Sequence, residues 1–180
     1  TRLASARGLG DVYKRQGFTP FSRITLRNAA IGFNEKDQPR YRTACETASL
    51  HGAAMMVRRD VLQRAGFMTE IYFLFYEEFD WSAQIRRAGY KLWYEPSAIV
   101  YHKESMTARK GSSLREFYLS RARLLFARRN ISGIDKYLSC LYICFIAAPK
   151  KAILYLLHGK FSLSMATLRG TFNGLISKKQ

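Results

Sequence analysis

The segment Phe75–His102, FYEEFDWSAQIRRAGYKLWYEPSAIVYH, constrains the fold more than any other part of the chain. Within it, EEFDWSAQIRRAG places Glu77, Glu78 and Asp80 at the start of a helical pattern. Arg86 and Arg87 sit at its end, and Gly89 follows. Acids in a first turn and cations in a last turn both complement the helix dipole, so a helix with two marked ends is predicted here. The pattern then changes. YKLWYEP and SAIVYH read as two short strands separated by a turn at Pro96. A helix next to strand-like runs places the chain in the α/β class, with an incomplete sheet and an ordered core over about residues 48–102.

Other elements are read around this one. LHGAAMMVRR, Leu50 to Arg59, is a short apolar run suited to a buried strand. Asp60 is placed to cap a short helix ending at Ala65, with Gly66 as its stop. SSLREFYLSRARLLFARRN predicts a longer amphipathic helix, with Ser113 and Glu116 at the spacing of a capping box. Two further helical segments follow, with breaks expected near Pro149 and Gly159. The apolar run Tyr137–Pro149 stops at Lys150 and Lys151, short of the ~20 residues a bilayer span needs. Residues 17–47 are polar and irregular. Residues 1–16, containing GLGDVYKRQ, resemble translated sequencing-adapter sequence at the ends of incomplete reading frames. They are set aside as a non-native segment expected to pack against little. Residues 17–130 and a basic tail, 131–180, form the remaining division.

Charge is unevenly distributed. Residues 17–105 carry twelve Lys/Arg against ten acids, whereas residues 106–180 carry fourteen against two. The C-terminal part is thus the part that seeks phosphate, on nucleotides, nucleic acid or anionic lipid. No zinc finger, RNP-like motif or Gly-rich phosphate loop supports a nucleic-acid role, and the acidic cluster opposes one. About Ile134 to Lys179 is expected either to associate peripherally with an anionic membrane or to pack on the preceding domain or a partner. Cys45, Cys140 and Cys144 are odd in number and lack zinc spacing. Cys140 and Cys144, one helical turn apart in an apolar run, read as small buried hydrophobes, and the lack of a disulfide framework fits a reducing, cytoplasmic setting, at or near the inner face of the cell membrane.

Three motifs in order, HGAAMMVRRDVLQRAGFM, FLFYEEFDWSAQIRRAGY and EPSAIVYH, resemble the C-terminal half of the catalytic domain of glycosyltransferase family 2. These are inverting enzymes with a GT-A, Rossmann-like fold. FYLSRARLLFARRN and LRGTFNG are similar to the tail of bacterial rhamnosyltransferase-type members, so the resemblance covers roughly residues 17–180. It implies transfer of a sugar from a nucleotide-diphosphate sugar to a hydroxyl of a glycan or lipid-linked acceptor, as in cell-wall or polysaccharide biosynthesis.

The same resemblance implies roles for individual residues. Glu78 stands where many members carry the catalytic Asp and is the candidate general base. Asp80 and Glu77 orient the acceptor or hold the helix start. By the chemistry of their residue types, Trp81 either lines the acceptor pocket or packs the helix, and Arg121 and Arg123 either reach the diphosphate or form a solvated helix face. His102 is the candidate ligand for a divalent metal, Mn²⁺ or Mg²⁺. The family's nucleotide-binding half and its D-x-D metal motif are absent from this sequence. The chain is therefore expected to be a fragment without transferase activity of its own. A non-catalytic basic module binding anionic membrane or nucleic acid is the competing reading.

Overall fold

A computed structural model describes residues 17–32, 35, 38–98, 109 and 111–177. The adapter-like segment 1–16, most of SAIVYH and the candidate ligand His102 lie outside the described residues. A short 3₁₀ turn, Pro39–Tyr41, precedes β1 (Cys45–Glu46), α1 (Arg59–Ala65), α2 (Glu77–Arg87) and β2 (Trp93–Tyr94). Next come α3 (Ser113–Asn130), a long helix α4 (Gly133–Leu157) and α5 (Phe161–Ile176). The architecture is mostly helical. Its sheet, among the described residues, has two antiparallel strands, in the register Cys45↔Tyr94 and Glu46↔Trp93. The α/β expectation is met only in that coarse sense, and no doubly wound sheet is seen among the described residues.

The helix α2 runs as its sequence predicts, and Gly89 follows in the left-handed region at φ +90°. It sits between two apolar clusters. Trp81 and Ile85, one turn apart, pack with Val61 and Leu92. On the other side, Phe79 packs against a cluster built around Leu26, Tyr72 and the α3 residues Leu124, Leu125 and Phe126. Burial of residues this large contributes ~1.5–3 kcal/mol each. The helix is therefore held in a fixed orientation by both of its flanks.

Four local expectations are corrected. Leu50–Arg59 is not a strand: Leu50 N–H donates to Ser82 Oγ at 3.0 Å and Ala54 N–H closes a turn on His51 O. The donors of Leu50, Ala53 and Ala54 are thus met by side chains and a turn rather than by a strand ladder. Helix α1 begins at Arg59 with Arg58 in the cap position, and Asp60 lies in the first turn, paired with Arg58 at 2.9 Å. The cap of α3 is Ser112, whose hydroxyl accepts from Arg115 N–H at 3.2 Å. Glu116 consequently falls one position beyond the capping box and turns inward instead.

The fourth correction concerns Pro149. The helix does not break there but continues for 25 residues, long and apolar enough by length and composition to cross a membrane. Over Tyr142–Ala147 it widens into a π turn, with Ala148 N–H bonded to Ile143 O. That wider turn takes up the missing donor and the ring of Pro149, which follow at once. Gly159, at φ +67°, does end α4. Among the cysteines, Cys140 and Cys144 are half-buried against the core, while Cys45 is exposed on β1.

The last helix packs along α3 in an extreme of closeness. A Cβ added at Gly170 would lie 2.2 Å from Phe117 O, and one at Gly174 2.6 Å from Arg121 O. Only a residue without a side chain lets the two backbones approach so far. Arg128 Nη1 then donates to Gly174 O and Ser177 O, at 2.7 and 2.8 Å, and satisfies the C-terminal end of α5.

Candidate functional site

The approach to α2 is an aromatic segment in an unusual backbone conformation. Phe73, Phe75 and Tyr76 all have positive φ, at 65°, 65° and 70°. Non-glycine residues rarely adopt this region, and the surroundings must hold them there. Tyr76, in the cap position of α2, is wedged among Phe21, Phe79 and Phe126, with ring centroids 4.8–6.0 Å apart across the group. Burial pushes the Tyr76 phenol up; the Arg123 charge opposes this and the Glu78 charge adds to it.

Helix geometry then separates the three acids. At about 100° per residue, Glu78 and Asp80 point about 160° apart. Asp80 turns inward and is 0% exposed. It accepts from Tyr72 Oη at 2.9 Å, from Arg129 Nε at 3.2 Å and from the Asn130 amide. Burial pushes the Tyr72 phenol far up, and the Asp80 charge adds to the effect, so this hydroxyl stays a donor. Asp80 is therefore a clasp between α2 and α3. Glu77 is half-buried, and its Oε2 has no hydrogen-bond partner.

Glu78 points elsewhere. Its side chain runs beside Gly52, whose added Cβ would sit 3.7–3.9 Å from Glu78 Cβ, Cγ and Cδ. Gly52 belongs to the turn His51–Ala54. In that turn His51 Nδ1 accepts from Ala53 N–H at 3.2 Å, and the imidazole stacks on Phe18 at 6.1 Å between centroids. His51 is the residue that sequence reasoning missed. Its signal, a histidine next to the small residues GAA, was absorbed into an expected strand.

The other predicted residues have structural partners. Trp81 is 7% exposed, with Nε1–H donating to Gly66 O at 2.9 Å, which leaves little ring face for an acceptor. Arg121 donates to Asn173 Oδ1, Ile71 O and Tyr72 O at 2.8–3.0 Å. It lines an open groove of about 610 Å³ with Glu70, Phe73 and Tyr118, and none of the three α2 acids lines that groove. Arg123 Nη2 donates to Thr25 O at 2.6 Å. The structure thus directs Asp80, Trp81 and Arg121 into packing, ties Arg123 to Thr25 O, and leaves Glu78 turned toward Gly52.

Among the described residues, no group of three His, Cys, Asp or Glu side chains is arranged to hold a metal ion. The described donors do not fit the expected divalent cation, since Asp80 is already saturated by Tyr72, Arg129 and Asn130. No protein-family model, curated protein or solved structure matches the chain.

Proposed function

We propose that this chain is the acceptor-side, catalytic half of an inverting glycosyltransferase of the GT-A type, with Glu78 as general base. Its donor is a nucleotide-diphosphate sugar, of the rhamnosyl type by resemblance of the tail. Its acceptor is a hydroxyl of a glycan or lipid-linked saccharide. The observation that carries the reading is the divergence of the acids. Asp80 is locked between α2 and α3, while Glu78, at the helix start, turns away from that clasp and runs beside Gly52.

The chemistry needs one carboxylate. An acceptor hydroxyl loses its proton to Glu78 as its oxygen attacks the anomeric carbon, and the bond to the nucleotide diphosphate breaks on the opposite face. The step needs this group as a carboxylate, and the N-terminus of α2 favours that charge. Asp80 and the strained Phe73–Tyr76 backbone act as positioning elements. The departing diphosphate and any metal are assigned to a nucleotide-binding half with its D-x-D motif, to which this chain would add His102.

The test is turnover of a nucleotide sugar onto a lipid-linked acceptor by the longer gene product. Glu78→Gln should lower turnover ~10²–10⁴-fold with donor binding retained. Normal turnover by that variant refutes the assignment.

A further inference from the structure

Helices α4 and α5 are built inside out. Most of their inward positions are small, with Ala148 and Ala152 on α4 and Ala166, Gly170 and Gly174 on α5, and Ile143 and Leu163 are the larger exceptions. Their outward positions include Phe145, Ile153, Leu157, Phe161, Leu168 and Phe172, which are 43–77% exposed. Close packing through small residues with large apolar side chains facing out is the pattern of helices in lipid. Taking ~200 Å² per ring, the three phenylalanines alone expose roughly 400 Å². That already matches the largest apolar patch of a typical monomer. The one acid of the two helices, Asp135 in the first turn of α4, is paired with Arg23. From Lys136 to Gln180 the sequence has no acid, and Lys150, Lys160 and Arg169 are exposed beside the apolar residues.

We propose that the outer face of α4 and α5 docks in the plane of an anionic bilayer, with its apolar side chains at the headgroup–acyl boundary and its cations on the lipid phosphates. The alternative of a span is opposed by what lies behind the helices. Their inner face holds a polar network around Glu116, which accepts from Tyr155 Oη at 3.0 Å and Thr167 Oγ1 at 3.2 Å and pairs with Lys151 at 2.6 Å. The Arg-bearing helix α3 packs on that side. Helix α5 has 16 residues, ~24 Å of rise, against the ~30 Å hydrocarbon core. One apolar face, one polar backing and flanking cations define an interfacial pair of helices. The inference does not depend on glycosyl transfer.

Co-sedimentation of the full 180-residue chain with phosphatidylglycerol and phosphatidylcholine vesicles tests it. Binding to phosphatidylglycerol at low salt should be strong, and weaker to phosphatidylcholine. The combined change Phe145→Glu, Leu157→Glu and Phe172→Glu should cut binding at least ~10-fold, since all three sites are exposed and lose only lipid contact. Phe67→Glu, exposed in the α1–α2 loop, should bind as the parent does and controls for added charge. Far-UV circular dichroism checks that the variants fold. A single Phe145→Trp variant should be quenched by lipids brominated near the headgroup end of the acyl chain. Absence of vesicle binding, equal binding to both lipids, or full binding by the triple variant overturns the proposal. Quenching confined to bromines at the bilayer centre overturns the in-plane placement. A dimer by light scattering that becomes monomeric in the triple variant, without vesicle binding, assigns the face to a second copy instead.

Discussion

Removing the Asp80 carboxylate should destabilise the protein strongly, and the structure allows the size to be worked out. Asp80 is fully buried, and its ion-pair partner Arg129 keeps 18% of its side chain exposed. Asp80→Ala removes the shared acceptor of three donors: the Tyr72 hydroxyl, the Arg129 guanidinium and the Asn130 amide. Breaking one side of a buried ion pair costs ~3–5 kcal/mol, and the partial exposure of Arg129 points to the lower end. Tyr72 is itself 0% exposed, and an unmet buried hydroxyl adds ~1–3 kcal/mol. Shared partners make these terms less than additive, so ~4 kcal/mol is expected. Against a domain stability of ~5–15 kcal/mol this is a large fraction. With a urea m-value of ~2 kcal/mol/M, the unfolding midpoint should fall by ~2 M at unchanged m. Asp80→Asn, which keeps one acceptor oxygen, should cost about half as much. Combining Asp80→Ala with Arg129→Met should recover part of the loss, giving a coupling of ~1.5–3 kcal/mol in a double-mutant cycle. A cost below ~1 kcal/mol for Asp80→Ala would show that the carboxylate is not a clasp and would return it to the list of candidate bases.

Further outcomes are expected elsewhere. Gly170→Ala should destabilise by ~2 kcal/mol in denaturant titration, because its methyl meets the Phe117 carbonyl and the overpacking outweighs the ~1 kcal/mol gain in helix propensity. Unchanged or raised stability would contradict the close approach of α3 and α5. Burial pushes the Glu116 carboxyl up, but hydrogen bonding and charge from Lys151, with Tyr155 and Thr167, hold it net below the ordinary range. Its contribution is therefore present above about pH 4.3 and lost as pH falls through the lower folded value. Thermal unfolding of the parent should accordingly fall more steeply below pH 4.3 than that of Glu116→Gln, and parallel curves would refute this.

What was legible in the sequence is what local chemistry dictates. The ends of α2 follow from acids, arginines and Gly89 within a single 13-residue window. The span of α3 follows similarly, with its cap displaced by one residue because Ser112 and Ser113 are equally competent hydroxyls. The rest depends on distant partners. Asp80 and Arg129 are 49 residues apart, and Arg123 and Thr25 are 98 apart. No local pattern says that a helix-start acid will face inward or that an arginine will bind a main-chain carbonyl. The Leu50–Arg59 run failed as a strand for the same reason, since strands need a neighbour and Ser82 took the donor first. The continuity of α4 through Pro149 was hidden because the π turn is a backbone adjustment that side-chain identity does not announce.

Four arginines of α3 each reach a different remote segment: Arg121 to Ile71 and Tyr72, Arg123 to Thr25, Arg128 to the end of α5, and Arg129 to Asp80. Along the growing chain, α3 follows the residues it anchors upstream. On a ribosome adding ~5–20 residues per second, the segment through β2 emerges without its clasp and waits on the order of seconds for it. Throughout that interval Phe21, Tyr72, Tyr76 and Phe79 have no α3 core to cover them. This makes the span between β2 and the end of α3 the window in which a holdase chaperone or a slower translation rate would most alter the yield of folded protein.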